Sequence, residues 1–276
     1  MTLLIGVLIG LVLGLTGAGG SIFAVPLLVL LLSLPVNEAV GIALGAVAVS
    51  ALFGTLNNWR YKTMLWVPAL ILAVFGALLA PFGKWLGLQV SETLLISAFS
   101  ILAIVIATRM WWQTVKHPEL ARVVRSGKIS TDEFMKPVCR VSPTGQFKWR
   151  LPCVGSLVLG GLVVGLFTGL FGVGGGFLIV PLLLFLTQVS MQQAVGTSLL
   201  IITVVSGAGF VSYAATSTEL DWRLLGLLSA GGLTGMFIGN LVGHKIAGPQ
   251  LQKIFAASLV LVAALMMANQ LLTDLI

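Results

Sequence analysis

The sequence predicts an all-α polytopic membrane protein built from two inverted repeats, each a glycine-broken half-helix pair plus three full transmembrane helices. Three observations carry this expectation. The 276 residues are 58% hydrophobic and 8% charged, with a mean hydropathy of +1.10, whereas roughly a quarter of an ordinary soluble domain is charged. A glycine-rich stretch occurs twice in one register. The charge balance of the short loops swaps between the two copies, as inversion in a membrane requires.

A soluble protein with a large core would need charged helix faces, and most of these segments have none. The opening MTLLIGVLIGLVLG lacks the basic n-region and small-residue cleavage site of a signal peptide and reads as mature structure. The excess of 15 Lys and Arg over 8 Asp and Glu gathers mostly in one loop, which fits a topology signal rather than nucleic-acid binding. Cys139 and Cys153 have no CxxC partner and only His117 nearby, so no metal site is expected. In a cytoplasmic loop they are expected as free thiols rather than a disulfide.

In chain order, Leu3 to Leu15 and Ile22 to Leu34 are apolar runs of 13 residues each, roughly 20 Å of helix against a hydrocarbon core of about 30 Å. They are expected as half-helices meeting at a break, either re-entrant or packed inside the protein. Ala39 to Leu56 is long enough to cross. Asn57, Asn58, Arg60 and Lys62 form a polar loop, and Met64 to Phe82 crosses back with Pro68 in its first turn. Trp59, Trp66 and Trp85 stand where an aromatic belt would place them. After Lys84, Ser91 is a candidate N-cap for the segment that ends near Trp111 and Trp112.

Thr114 to Arg150 is the one soluble-looking stretch, with eight Lys and Arg against Glu119, Asp132 and Glu133. It is expected as a basic cytoplasmic linker, partly helical from Pro118 to Val124 and after Thr131, between an N-terminal repeat (1–113) and a C-terminal repeat (151–276). The second repeat follows the same order: Val154 to Leu170, a break, Phe177 to Leu186, Ala194 to Ala214, Trp222 to Val242 and Leu251 to Leu271. The loop with Arg60 and Lys62 has a counterpart with Glu219, Asp221 and Arg223, while the Lys84 loop has one with Lys245 and Lys253. This swap puts both chain ends outside the cytoplasm.

The repeat itself is plain. Gly10, Gly14, Gly17, Gly19, Gly20 and Pro26 of GLVLGLTGAGGSIFAVP fall at one constant offset on Gly165, Gly169, Gly172, Gly174, Gly175 and Pro181 of GLFTGLFGVGGGFLIVP. Ala39-Val40-Gly41 then aligns with Ala194-Val195-Gly196. Gly6, Gly10, Gly14, Gly161, Gly165 and Gly169 recur about once per turn, and close helix packing explains them best. Packing does not need consecutive glycines, so the GAGGS and GVGGG runs point elsewhere.

Non-helical backbone inside a bilayer survives only against protein or a polar cavity, and a helix that restarts there offers unpaired N–H groups and a positive dipole end to an anion. The candidate substrate-binding residues are therefore Gly19, Gly20 and Ser21 from one half with Gly174, Gly175 and Gly176 from the other, joined by Thr197 and Ser198. Ile42 and Ala43 are the counterparts of those two hydroxyls, so the site is chemically asymmetric. Thr16 and Thr168 flank the breaks, where backbone bonding within the helix competes with a ligand role. Asn57, Asn58 and Arg60 are candidates for an entrance. Only Arg109 among charged residues is expected within a span. No catalytic motif, cofactor or metal is implied.

On GLTGAGGSIFAVPLL, GLFGVGGGFLIVPLL, the downstream AVG and AVGTS, and the central basic linker, the chain resembles the sulfite exporter TauE/SafE family over essentially its whole length. Ser21 departs from the triple glycine of the second copy. The resemblance implies a multi-pass inner-membrane carrier that exports sulfite or a related small sulfur-containing anion such as an organosulfonate. Membrane lipids are further partners and a homodimer is left open. The alternatives are uptake of another small organic anion, or a membrane scaffold that recruits a partner through its basic loop.

Overall fold

The computed structural model describes residues 1–17, 20–59, 64–116, 151–187, 191–216 and 221–243, together with 257, 260, 261 and 264. Gly19, Arg60, Lys62, Glu219, Lys245, Lys253, nearly all of the predicted linker and most of the predicted Leu251 to Leu271 span lie outside the described residues. The helices in chain order are α1 (Thr2–Thr16), α2 (Gly20–Leu32), α3 (Val36–Trp59), α4 (Trp66–Gln89), α5 (Glu92–Lys116), α6 (Leu151–Phe171), α7 (Gly176–Leu186), α8 (Met191–Thr216) and α9 (Trp222–Gly243). By length and composition α3, α4, α6, α8 and α9 can each cross a membrane. Exposed Leu4, Leu8, Leu70, Leu78 and Phe237 turn apolar surface outward. This is a multi-pass membrane protein, all-helical because only helices satisfy their own backbone in lipid.

Both predicted breaks are present. α1 ends at Gly17, whose φ of 67° lies in the left-handed region and whose N–H donates to the Leu13 carbonyl at 2.7 Å. α6 ends the same way at Gly172, also with φ 67°, its N–H donating to the Thr168 carbonyl at 2.9 Å. Glycine adopts this conformation without a Cβ penalty, which makes it the usual residue after a helix end.

Four expectations need correction. α6 has 21 residues, about 32 Å of helix, and is not a half-helix; Leu151, Pro152 and Cys153 extend its apolar run, and proline is tolerated in a first turn. Asn57 and Asn58 belong to the last turn of α3 rather than to a loop, and Asn58 Nδ2 donates back to the Gly54 carbonyl at 3.0 Å. α4 continues past Phe82 to Gln89, so Lys84 lies inside a spanning helix. Packing carries the helix past the charge: a Cβ on Gly83 would strike the Leu166 carbonyl of α6. The Lys84 ammonium donates to the Ser212 carbonyl at 2.9 Å and to Thr216 Oγ1, and it lies 4.9 Å from the Tyr213 ring centre. It therefore closes the negative end of α8. Finally, Cys153 is fully buried and disulfide-bonded rather than a free thiol, because sequence spacing does not reveal which cysteines approach one another. The chain's other cysteine, Cys139, is outside the described residues.

The helices of the two halves interleave. α1 packs on α9 and α6 on α4; α3 packs on α9 and α8 on α4; α3 and α8 pack on each other, as do α2 and α7. Exchanging each helix for its repeat counterpart leaves this scheme unchanged. Its tightest seams are the once-per-turn glycines: a Cβ on Gly6, Gly10 or Gly14 would run into the backbone of Leu228, Gly232 or Met236. Likewise one on Gly161, Gly165 or Gly169 would meet the backbone of Leu72, Gly76 or Ala80. The expectation of packing holds for these six glycines. Without hydrophobic pressure between helices in lipid, such backbone approach is a main source of van der Waals attraction.

Candidate functional site

The two breaks lie against each other between α3 and α8. At Gly174, where φ is 64°, an added Cβ would sit 3.1 Å from Ser21 Cβ, 3.2 Å from Val47 Cγ1 and 2.9 Å from Ser206 Oγ. One glycine of the second break thus faces the first residues of α2, the wall of α3 and the wall of α8 at once. Around it, Ile22 and Phe23 of α2 share an apolar cluster with Phe171 and Val173 of the second break.

The Ala-Val-Gly motifs build this contact by crossing over. Val195 of the second half lies so close to Gly17 that any Cβ there would overlap its side chain, and Val40 of the first half stands 2.7 Å from the Cβ position of Gly172. Each half therefore supplies the valine that seats the other half's break. Gly41 in turn is covered by the Tyr213 ring, which carries the contact on towards Lys84.

The remaining candidates fall around this centre. Gly20, the first residue of α2, presses on Ile9 and Leu13 of α1, and Gly175, with φ 63°, presses on Val164 and Thr168 of α6. These are matching positions in the repeat. Gly176 is buried at the start of α7. Ser198 Oγ donates to the Gly17 carbonyl at 2.7 Å and to the Val195 carbonyl at 2.8 Å, so it holds the first break from α8. Thr197 Oγ1 accepts the Leu65 N–H at 3.1 Å, just ahead of α4. Thr16 and Thr168 donate to their own helices, to the Val12 and Val164 carbonyls. Asn58, at the end of α3, donates to Gly54 of its own helix.

Ser206 is the residue that sequence reading misses. It is wholly buried on α8, and among the described residues Ser206 Oγ and Ser100 Oγ are the buried side-chain polar atoms without a hydrogen-bond partner. A serine in a membrane helix ordinarily donates to the carbonyl four residues back, as Ser50 does to Ala46. Ser206 does not. Its repeat counterpart is Ala51, and setting α3 beside α8 at the constant offset would have exposed the difference.

The centre thus brings together Ser21 and Ser206, the first residues of α2 and the turn before α7, and an apolar wall at Val47. Ser21, Thr197, Ser198 and Ser206 are all fully buried. The N-terminal, positive ends of α2 and α7 lie close to this centre, since Ser21 is the second residue of α2 and Gly174 lies two residues ahead of α7. Among the described residues no group of three or more His, Cys, Asp or Glu side chains is placed to hold a metal. Hydroxyls and helix-start amides are groups that can donate hydrogen bonds to an anion.

The model of the family described as "Sulfite exporter TauE/SafE" matches residues 2–266. A probable membrane transporter of Xylella fastidiosa is 29% identical over 94% of this chain and 90% of its own length. Probable membrane transporters of Bacillus subtilis are 28% identical over 95% of this chain and 97% of the relative, and 26% identical over 87% and 88%. No solved structure matches.

Proposed function

Since the chain belongs to the sulfite exporter TauE/SafE family of membrane transporters, and is not an enzyme, we propose that it moves sulfite or a related small sulfur-containing anion out of the cell. On this reading it lies in the inner membrane, with its linker in the cytoplasm and both ends outside. The two halves are inverted repeats, and the anion binds where their breaks meet. The single observation that carries the site is the approach of Ser21 and Gly174, from opposite breaks, in the buried centre of a membrane protein. Full burial means that substrate reaches them only when the α3/α8 packing opens to one side at a time, which is how repeat-built carriers work.

The test is counterflow in proteoliposomes loaded with a panel of anions. Sulfite should exchange, and Ser21→Leu, whose side chain would fill the space before Gly174, should lower the rate at least tenfold while the protein remains monodisperse in detergent. Exchange of carboxylates without sulfite would instead support an uptake carrier for another organic anion. Undiminished exchange in Ser21→Leu would remove the site.

A further inference from the structure

Resting on the anion-carrier reading, we infer that Ser206 is a substrate-binding residue, whose hydroxyl donates to one oxygen of the bound oxyanion. Three observations converge on it. Ser206 Oγ is fully buried and has no hydrogen-bond partner, although the carbonyls of its own helix are the ordinary recipients of a serine proton. It borders Gly174, where an added Cβ would lie 2.9 Å away, so the polar atom lies at the junction of the breaks and not at the lipid face. It belongs to α8 alone: Ala51 occupies the matching place on α3, as Ala43 matches Ser198 and Ile42 matches Thr197.

The two hydroxyls of α8 that the sequence singles out already have partners. Ser198 holds the Gly17 carbonyl and Thr197 receives the Leu65 N–H. Among the described residues of α8, Ser206 is therefore the buried hydroxyl that neither donates nor accepts a hydrogen bond, and it lies beside the glycine turn that precedes α7. A buried hydroxyl without a partner is unfavourable. An arriving oxyanion relieves it, so part of the binding free energy is already stored in the empty protein. Because α3 presents Val47 to the same place, the donor acts from one side only and fixes which face of the anion turns towards α8.

The experiment compares wild type, Ser206→Ala and Ser156→Ala, the last removing an exposed hydroxyl that donates within its own helix. Sulfite and methanesulfonate are the probes. Thermal unfolding in detergent is followed with and without probe, alongside sulfite counterflow. In the empty protein Ser206→Ala should unfold at the wild-type temperature or above it, since alanine removes an unpaired group. Its sulfite affinity should fall about tenfold or more, the loss expected when a charged acceptor loses its donor, while Ser156→Ala tracks wild type. A clear drop in the unfolding temperature of empty Ser206→Ala overturns the inference, because the hydroxyl then has a structural partner. Wild-type sulfite affinity in Ser206→Ala overturns it too and leaves the carrier reading standing. No sulfite response in wild type overturns the carrier reading and the inference with it.

Discussion

The two breaks are made of the same backbone and different side chains. Each ends a helix on a left-handed glycine, Gly17 or Gly172, and each is seated by a valine from the opposite half, Val195 or Val40. Yet the first is also held through its carbonyl by Ser198, while the matching residue facing the second is Ala43. The second has an unpartnered hydroxyl, Ser206, beside its Gly174. The shared geometry is what two repeated elements need in order to meet. The unshared hydroxyls are what a small ligand can distinguish.

The largest expected effect comes from attacking what the breaks share. Gly17→Ala and Gly172→Ala each force a Cβ into a left-handed backbone, at about 1–2 kcal/mol, and each pushes it into a valine, where overpacking typically adds about 1–3 kcal/mol. Both should unfold at clearly lower temperature in detergent, and Val195→Ala or Val40→Ala should restore part of the loss in its own break only. The recovery should be greater at Gly17, where the valine stands closer. Equal recovery from the wrong valine would break the crossed-seating scheme.

A smaller effect should separate the breaks. Ser198→Ala removes the hydrogen bond to Gly17 and should lower stability by about 1 kcal/mol, the net worth of a typical buried bond. Ala43→Ser adds the hydroxyl to the matching place and should gain little, because a serine there can satisfy itself on its own helix. Thermal unfolding of the two variants checks the contrast, and matching losses would argue that the two breaks are held alike.

The smallest effect is expected at the proposed entrance. Arg60→Gln should raise the apparent KM for sulfite about twofold at low salt and have no effect at high salt, as salt screening of a charge that recruits the anion requires. Asn58→Ala should leave KM unchanged, since its amide already serves the Gly54 carbonyl.

Sequence periodicity shows much of this architecture because lipid enforces it. The positions of the breaks follow from glycine runs that no helix would carry through a bilayer, and the once-per-turn glycines of α1 and α6 announce seams that the structure fills with backbone from α9 and α4. Lys84 is harder to place, because charge ordinarily marks a loop and the groups that accept its ammonium, Ser212 and Thr216, come more than a hundred residues later. Ser206 is harder still. A serine in an apolar helix looks like one that bonds its own backbone, and only the folded arrangement brings it to Gly174.

The central claim is that the meeting point of the breaks receives the anion, and selenite, a heavier likeness of sulfite, tests it most directly through its anomalous scattering in crystals of the full chain. The account predicts one peak within hydrogen-bonding reach of Ser21, Ser206 and the Gly174 backbone. A peak beside Lys84 or Arg60 instead, or no peak at selenite concentrations that saturate transport, would contradict it.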